Sequence, residues 1–534
     1  MKRIYLCIGL ALLFTSCKKW VDINDNPNSA NAVVPTAEQR LPPLIAQFID
    51  GYESAGTRAA FVSQQIAVTY SFNSNNWNLT RWFSNTSSAN WPWQSWYVNA
   101  GVNVAPTIAA AERVEAWHYV GAAKIIKAWG FGTLADFYGM LPYDEFDNPE
   151  ILTPKFDDGE YIQGKVLELL DEGIADLQKT QGPAAPPLSK GDILNNGNVD
   201  AWIRLAWGLK ARFLNHTTKK ASYDPQVVLD ALAKAPQTAA ESTVMQYIDQ
   251  EDVSTNAQAS LQYQNVSTSA RVTQLYINYL TNNYTGAPSG ANNMEDPRAD
   301  TLIPRAMDKN GNWFRSLGVD MASDLPNSGP TSKDSAYVFM RPNPSTRPTP
   351  GQRVYSTGTF YTLRGAKGPL VTASEMKFIE AEIMMRQNKP GDALTAYHDG
   401  IRIHMELIGI PTATINQFLA STSVVQNAAQ LTMSHIMIQK YIALSYSPEV
   451  WVDLRRMNYC TDAAGNYNEA TGIYKGFKRP SHAYELSYPN QTDWPRRFAV
   501  ASYEINYNID QVLKANPNAS SPTYLNEPVW WDKP

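Results

Sequence analysis

The stretch SEMKFIEAEIMMRQNKPGDALTAYHDGIRIHMELIG, residues 374–409, decides the fold. Its first part is typical of a helix from Ser374 to Gln387, and the turn residues of 388–391 separate it from a second helical segment. Small residues recur three or four apart on one face of the second segment, at Ala393, Ala396 and Gly400, with His404 following in the same register. This spacing predicts two antiparallel helices whose small residues let them pack closely.

Other segments repeat the same helical period. Asp157 with Glu160 is typical of a capping box ahead of an apolar run, and Asp200 is predicted to cap a further amphipathic helix. Another helix is predicted from Met433 to Tyr446. A helix-turn-helix of this length with a small-residue face resembles a tetratricopeptide unit. We therefore predict a mostly α fold in which tetratricopeptide-like helical hairpins stack into one globular domain, with long loops and a few short β-hairpins.

Composition divides the mature chain, residues 17–534, into scaffold and loops. The helical scaffold is expected at about 35–283 and 372–457. Segments rich in Asn, Gly, Pro and Ser occupy about 70–95, 284–370 and 458–534. Loops this long are uncommon unless they are functional, so we expect the first two to lie on the ligand side. Asn310-Gly311 favours a short β-hairpin.

The N-terminus has the features of an export signal. Lys2 and Arg3 precede an apolar core from Ile4 to Phe14, and small residues lead into Cys17. This pattern predicts a lipoprotein signal peptide over 1–16 with lipid attached at Cys17. The alternative is a secretory signal with an incidental cysteine. No later apolar run reaches the length of a membrane helix, so lipid would be the membrane anchor.

Charge and composition narrow the class of ligand. Charged residues make up 18% of the chain, below the usual quarter, while Trp and Tyr number 15 and 28. The net charge of −5 and the absence of long Lys/Arg runs argue against nucleic acid as a partner. Neutral ligands suit this balance better.

Several phrases, in order, carry a family resemblance. They are DINDNPNSA, then AAKIIKAWGFGTLADFYGMLPYDE with a turn from Tyr138 to Tyr143, then DPR at 296–298, QKYIALSYSPEVWVDLRRMNY and WPRRF. The chain resembles the SusD/RagB family of outer-membrane nutrient-binding lipoproteins, in the branch described as starch-binding-associating. The resemblance runs from Cys17 nearly to the C-terminus.

The resemblance implies a function and a location. Members of this kind capture oligosaccharide at the cell surface, anchored by lipid in the outer membrane and facing the exterior. They deliver it to a partner SusC-like, TonB-dependent transporter, without catalysis and without a cofactor. One alternative is a peptide-capturing member of the same family, and a surface glycoside hydrolase is a further one.

Two stretches are candidates for holding a sugar, which needs a flat aromatic surface and hydrogen-bond partners around the ring edge. In FNSNNWNLTRWF, residues 72–83, the predicted stacking rings are Trp77 and Trp82, and the predicted hydrogen-bonding residues are Asn76, Asn78 and Arg81. In KNGNWFRSLGVD, residues 309–320, the candidates are Trp313 and Arg315 on the hairpin. The alternative for Trp77 and Trp82 is a role in the core, where Trp is highly buried on average. For Trp313 the alternative is a hairpin side chain that covers neighbouring helices.

Catalysis and metal binding lack support in the sequence. A glycoside hydrolase needs two carboxyls across a cleft, whereas Glu375, Glu380, Glu382 and Asp399 are expected on helix surfaces. The six His form no HExxH pair. The oxygen-rich loops DINDNPN and DAAGNYNEA lack EF-hand spacing, and Asx turns explain both without calcium.

Overall fold

A computed structural model describes residues 34–68, 74–88, 90–247, 270–308, 312–322, 353–363 and 365–534. The predicted signal peptide, the predicted lipidation site at Cys17 and the DINDNPN loop lie outside these ranges, as does most of the Pro-rich part of 284–370. Within the described ranges, no helix combines the length and the apolar character needed to cross a membrane.

Helices dominate the first half of the described chain, as predicted. They are α1 (Ala37–Val62), α2 (Asn75–Thr80), α3 (Asn90–Gln94), α4 (Val104–Glu112), α5 (Trp117–Tyr138), α6 (Gly159–Leu177), α7 (Val199–His216), α8 (Pro225–Leu232) and α9 (Gln274–Leu280). A π-helical turn, Ser95–Ala100, and a 3₁₀ turn, Gly101–Asn103, join α3 to α4.

The second half is also helical, apart from its sheet segments. Its helices are α10 (Ala299–Leu302), α11 (Ala373–Arg386), α12 (Pro390–Leu407), α13 (Thr412–Leu419), α14 (Met433–Ala443), α15 (Glu449–Arg456), α16 (Ser502–Tyr507) and α17 (Ile509–Ala515). The two short helices α16 and α17 lie in the loop-rich C-terminal segment.

Short antiparallel strands form three small sheets in the described residues. The strands are β1 (Ile66–Val68), β2 (Thr243–Gln246), β3 (Ala270–Val272), β4 (Arg305–Asp308), β5 (Trp313–Arg315), β6 (Arg353–Ser356) and β7 (Lys367–Val371). β1 pairs with β3, β2 pairs with β7, and β4 lies between β5 and β6. The β4–β5 pair confirms the hairpin predicted around Asn310-Gly311.

Helices α11 and α12 form the hairpin that the quoted stretch predicts. Thr372 caps α11 by accepting a hydrogen bond from the Glu375 N–H, and Pro390 begins α12. The small residues of α12 are buried, and a Cβ placed on Gly400 would lie 2.8 Å from ring carbons of Phe378 on α11. Glycine at this position therefore lets the two helices approach closely. The fold is mostly α, with tetratricopeptide-like stacked helical hairpins and few short strands.

Two predicted helix caps were displaced. Asp158, not Asp157, caps α6, because its carboxylate accepts the hydrogen bond from the Tyr161 N–H. Asp157 instead accepts from the backbone N–H groups of Tyr143 and Asp144, so it closes the turn after α5. Asn198 caps α7, and Asp200 lies in its first turn. Adjacent acidic and amide residues compete for one cap, and tertiary contacts decide between them.

Two carboxylates expected on helix surfaces are buried. Glu375 of α11 forms a two-pronged ion pair with Arg212 of α7, at 2.6 and 2.7 Å. Glu382, two helical turns further on, pairs with Arg456 of α15 at 2.7 Å. Burial alone would raise the pKa of Glu382, but the Arg456 guanidinium outweighs burial and lowers the pKa. These Glu residues connect scaffold helices, and the sequence could not show their Arg partners, which lie far away in the chain.

Candidate functional site

Trp77 lies on α2, in the first stretch proposed for sugar binding. Ser74 caps this short helix by accepting a hydrogen bond from the Trp77 N–H. The Trp77 side chain is only 3% exposed, and it forms a small apolar cluster with Ala67, Val319 and Met321. The ring of His482 lies 5.8 Å away. Trp77 therefore packs beneath the surface and connects the first candidate stretch with the end of the second.

Trp82 follows α2 and is part of the core. Its side chain is 1% exposed, and its indole N–H donates a hydrogen bond to the Val62 carbonyl at 3.1 Å. Phe477 stacks on it with ring planes 8° apart, and Trp494 and Tyr488 pack around it. In this arrangement Trp82 has no face open to a ligand, which favours the core alternative. Its aromatic neighbours belong to the C-terminal segment, which is far away in the sequence. The burial of Trp82 could therefore not be predicted from the residues around it.

The polar residues of the same stretch lie nearer the surface. Asn76 and Asn78 are half-buried on α2, and Arg81 is half-buried just after it. The Arg81 guanidinium lies over the rings of Phe83 and Tyr484, at 5.5 and 5.2 Å from their centroids. Its Nε is buried and has no hydrogen-bond partner among the described residues. We call Asn76, Asn78 and Arg81 the rim.

Trp313 and Arg315 lie on β5, and the sheet places both on its outer face. Residues two apart on a strand share a face, and β4 repeats the same alternation, with Ala306 buried between Arg305 and Met307. Strand register sets Arg305 opposite Arg315 and Met307 opposite Trp313. The Trp313 side chain is 53% exposed. We call this outward set of Arg305, Met307, Trp313 and Arg315 the Trp313 face.

Two carboxylates hold the arginines of the Trp313 face. Asp300 of α10 binds Arg315 at 2.5 Å and Arg305 at 2.6 Å, and Glu295 also binds Arg315. Burial alone would raise the pKa of Asp300, but the guanidinium groups of Arg315 and Arg305 outweigh burial and lower the pKa. The exposed Trp313 ring therefore lies beside charged groups that can form hydrogen bonds. The ion pairs among these groups hold them in position.

A polar cleft opens next to Trp77, at the end of the second candidate stretch. It is a cavity of about 160 Å³ lined by Gln64, Gln274, Leu275, Asn278, Asp320, Met321, Ala322, Gly476 and Lys478. The Ser481 N–H donates to the Met321 carbonyl and so brings His482 to the same place, where its Nε2 is buried without a hydrogen-bond partner in the described residues. Sequence reasoning missed most of these residues, because single amides at helix and strand ends carry no local signal.

The lining of the cleft suits hydrogen bonding. Its polar lining is mostly amide, and among the described residues Asp320 is its one carboxylate. Hydrolysis of a glycosidic bond requires two carboxyls across the substrate, and the described lining does not supply them. Amides donate and accept hydrogen bonds together, which matches the hydroxyl and amide groups of a neutral ligand. The cavity is smaller than the roughly 300–1,000 Å³ of a pocket that encloses a drug-sized ligand, so it could enclose only part of such a ligand.

A group with metal-ligand geometry occurs elsewhere. Asp136, His216 and Glu449 are buried with their potential ligand atoms within 4.8 Å of one another. Both ring nitrogens of His216 are bound to these carboxylates, at 3.2 and 2.8 Å. Burial alone would lower the pKa of His216, but Asp136 and Glu449 outweigh burial and raise the pKa to about 9. The group is therefore a charged imidazolium between two carboxylates, which leaves neither nitrogen for a metal.

The loop DAAGNYNEA contains the predicted Asx turn. The Asp462 side chain accepts hydrogen bonds from the backbone N–H groups of Ala464 and Asn466, both at 2.9 Å. Asn468 accepts in the same way from Ala470. These side-chain oxygens organise the loop itself.

Comparison with known proteins gives a family and a fold. A family model described as starch-binding associating with outer membrane matches residues 30–475. No protein of curated function matches the chain. A chitin-binding SusD homologue from Flavobacterium johnsoniae superposes with a TM-score of 0.69 at 18% identity, covering 92% of this chain and 98% of its own. A SusD/RagB family protein from Bacteroides thetaiotaomicron gives 0.66 at 20% identity, covering 93% and 99%.

At these identities the solved structures show a shared fold. The family model, by contrast, matches the sequence itself over most of its length, from before α1 to beyond α15. The chain therefore belongs to the SusD-like family, described as starch-binding and associating with the outer membrane.

Proposed function

We propose that this protein captures oligosaccharide at the cell surface and delivers it to a partner SusC-like, TonB-dependent transporter in the outer membrane. The observation that carries the proposal is the Trp313 face, where a half-exposed indole lies beside Arg315 and Arg305, both bound to Asp300. Family membership agrees with glycan binding in general.

The arrangement of the Trp313 face suits a sugar physically. The C–H face of a pyranose stacks on an indole, and a stacked ring contributes on the order of 1 kcal/mol beyond area burial. Guanidinium and carboxylate groups beside the ring can donate to and accept from hydroxyls. Because Asp300 and Glu295 already fix Arg315, little side-chain entropy is lost when a ligand binds.

The polar cleft extends this surface. Residues 313–320 run from the Trp313 face to Asp320 at the cleft, a path of at most roughly 25 Å for an extended chain. An oligosaccharide of several units can span that distance, with its end in the cleft. We assign direct contact to Trp313 and Arg315, hydrogen bonding at the rim to Asn76, Asn78 and Arg81, and support of the rim to Trp77 and Trp82.

The descriptions of the structural neighbours indicate which sugars to test first. Two of them are described as chitin-binding. The amide-lined cleft is compatible with N-acetyl groups, which also carry one donor and one acceptor each. Chitooligosaccharides are therefore the first sugars to test, followed by starch-derived oligosaccharides, in keeping with the family's description.

Location and processing form a further part of the proposal. A signal peptide over 1–16, lipid on Cys17 and a single domain over 17–534 would place the protein on the outer membrane, facing outward. We propose that it performs no catalysis and needs no cofactor. Loss of the full-length, palmitate-labelled protein when whole cells are treated with external protease would support this orientation, and complete protection in intact cells would contradict it.

Peptide capture remains the second candidate, because β5 is an edge strand in the described part of the chain. An edge strand can pair with an extended peptide through backbone hydrogen bonds. Such binding would depend on the backbone of β5 and little on the Trp313 indole.

Calorimetry on the lipid-free protein starting at Lys18 separates these functions. Chitooligosaccharides, malto-oligosaccharides and a peptide digest are titrated into the wild type, Trp313→Ala and Trp207→Ala. Trp207 is the matched control, since it is a half-buried surface Trp of α7 held by Lys210 and Lys234.

We expect saturable sugar binding that weakens about tenfold in Trp313→Ala, about 1.4 kcal/mol, and is unchanged in Trp207→Ala. Chromatography should recover the sugar intact. Peptide binding alone would favour the second candidate, and consumption of the sugar would indicate a hydrolase. Equal sugar affinity in wild type and Trp313→Ala would exclude the Trp313 face as the site.

A further inference from the structure

Residues 298–361 are the segment that carries the strands of the Trp313 face, and its two ends meet at one buried point. Arg298, just before α10, is one end, and Tyr361, just after β6, is the other. Both residues contact the same side chain, His404 of α12. Arg298, Tyr361 and His404 are each no more than 1% exposed. We call these three residues the His404 clasp.

Hydrogen bonding fixes the protonation of His404. An Arg guanidinium only donates, so the contact of 3.2 Å between Arg298 Nη1 and His404 Nδ1 requires that Nδ1 accept. The proton of the neutral ring then lies on Nε2, which donates to the Tyr361 hydroxyl oxygen at 2.8 Å. Burial, with the nearby Arg298 charge, lowers the pKa of His404 well below its usual range, in agreement with a neutral ring.

The Arg298 end of the segment is held rigidly. Asp296 binds Arg298 with both carboxylate oxygens, at 2.6 Å for the shortest contact, and Gln439 of α14 accepts from the same guanidinium. Through Gln439 and His404, Arg298 is fixed to the two helices α14 and α12. His404 transmits that position to Tyr361 across one imidazole ring.

Another attachment holds the far side of the segment. The Val319 N–H donates to the Val272 carbonyl of β3, and the Gln274 N–H donates to the Val319 carbonyl. This contact fixes the end near the polar cleft. The Val319 contact does not hold β4 or β6. The placement of these two strands depends on the clasp, whose residues Arg298 and Tyr361 flank them in sequence, and on the packing around it.

We propose that His404 is a positioning residue for the Trp313 face: by joining Arg298 to Tyr361 it sets the spacing between the two ends of the segment that carries β4, β5 and β6. Its effect on ligand affinity rests on the proposed function. Its effect on the sheet does not, and can be measured without a ligand.

The sharpest perturbation is Tyr361→Phe, which removes one hydroxyl and keeps the ring. The matched control is Tyr119→Phe, because Tyr119 is equally buried and its hydroxyl donates to the Pro187 carbonyl at 2.8 Å, on a different part of the scaffold. His404→Leu removes both contacts of the clasp. His404→Gln is the conservative variant, since its amide can still accept from Arg298 and donate to Tyr361.

Hydrogen–deuterium exchange with mass spectrometry measures the effect of each substitution on the stability of the sheet, in the full lipid-free chain. In Tyr361→Phe we expect roughly fivefold faster exchange in peptides covering 305–308 and 313–315, as for the loss of one buried hydrogen bond, with α11 unchanged. His404→Leu should show a larger change and His404→Gln a smaller one. Tyr119→Phe should leave the sheet peptides unaffected.

The outcomes are separable. Unchanged exchange in the sheet of Tyr361→Phe would overturn the proposal, as would acceleration of equal size in α11 and the sheet, which would show only general destabilisation. If the sheet loosens as expected but chitooligosaccharide affinity stays the same in Tyr361→Phe, the clasp stands and the Trp313 face is not the ligand site. If affinity also falls, without a fall in Tyr119→Phe, both proposals gain support. Should His404→Leu fail to fold, Tyr361→Phe and His404→Gln still decide the question.

Discussion

Replacing Gly400 by alanine tests the close packing on which the helical scaffold depends. Gly400 lies in the middle of α12 and faces Phe378 of α11. In an isolated helix the same change would be favourable, by about 1 kcal/mol, because glycine is a poor helix former. In this protein the new methyl group enters occupied space.

The expected cost follows from the distances. The added Cβ would lie 2.8, 2.8 and 3.0 Å from three carbons of the Phe378 ring. The Phe378 ring is completely buried and has little room to shift, and overpacking of this kind typically costs about 1–3 kcal/mol. After the gain in helix propensity is subtracted, we expect Gly400→Ala to lower the free energy of unfolding by about 0–2 kcal/mol.

Urea unfolding followed by circular dichroism measures this change, and the same helix provides the control. Gly391 lies in the first turn of α12, and a Cβ placed on it has no neighbour within 4 Å. Gly391→Ala should therefore be neutral or stabilising, by up to about 1 kcal/mol. The two Gly→Ala changes are expected to have opposite signs.

A second substitution locates the clash. Phe378→Leu removes the ring that the new methyl group would meet, so Gly400→Ala should cost less in this background, with a coupling energy of about 1 kcal/mol. Close packing of Gly400 against Phe378 would be excluded if Gly400→Ala were as harmless as Gly391→Ala. It would also be excluded if the cost of Gly400→Ala were the same with and without the Phe378 ring.

Other predictions address the core, the surface and pH. Trp82→Ala should destabilise the fold by about 3–5 kcal/mol, whereas Trp313→Ala should change stability by no more than about 0.5 kcal/mol, and similar urea midpoints for the two would contradict their burial. The two carboxylates around His216 raise its pKa from 6.5 to about 9, so its stabilising contribution is complete below pH 6.5 and is lost as pH rises to about 9. Unfolding free energy should fall over that window by up to about 3 kcal/mol more in wild type than in His216→Gln, and parallel pH profiles would exclude this role.

The helical scaffold could be predicted from the sequence because the patterns that specify it are local. The small-residue face of residues 393–400 predicted the α11–α12 hairpin, and Asn310-Gly311 predicted the β4–β5 hairpin. Helix ends were less certain, as Asp157 and Asp200 show, because neighbouring residues compete to cap and distant contacts choose between them.

The candidate site was harder to predict, because exposure depends on partners remote in the chain. Trp82 and Trp313 have similar sequence surroundings, yet Phe477 and Trp494 enclose the first, and the second lies on the outer face of a sheet. The cleft residues Gln274 and Lys478 come together through the β1–β3 pair and the C-terminal segment, and no local pattern announces them.

Hydroxyl-radical footprinting with a saturating sugar, chosen as the tightest binder in calorimetry, shows whether sugar binds at the Trp313 face. We expect bound sugar to protect Trp313 from oxidation, while Trp207 of the same protein oxidises at its ligand-free rate. Protection confined to residues away from the Trp313 face and the polar cleft, or no protection at saturation, would contradict capture of sugar at this surface.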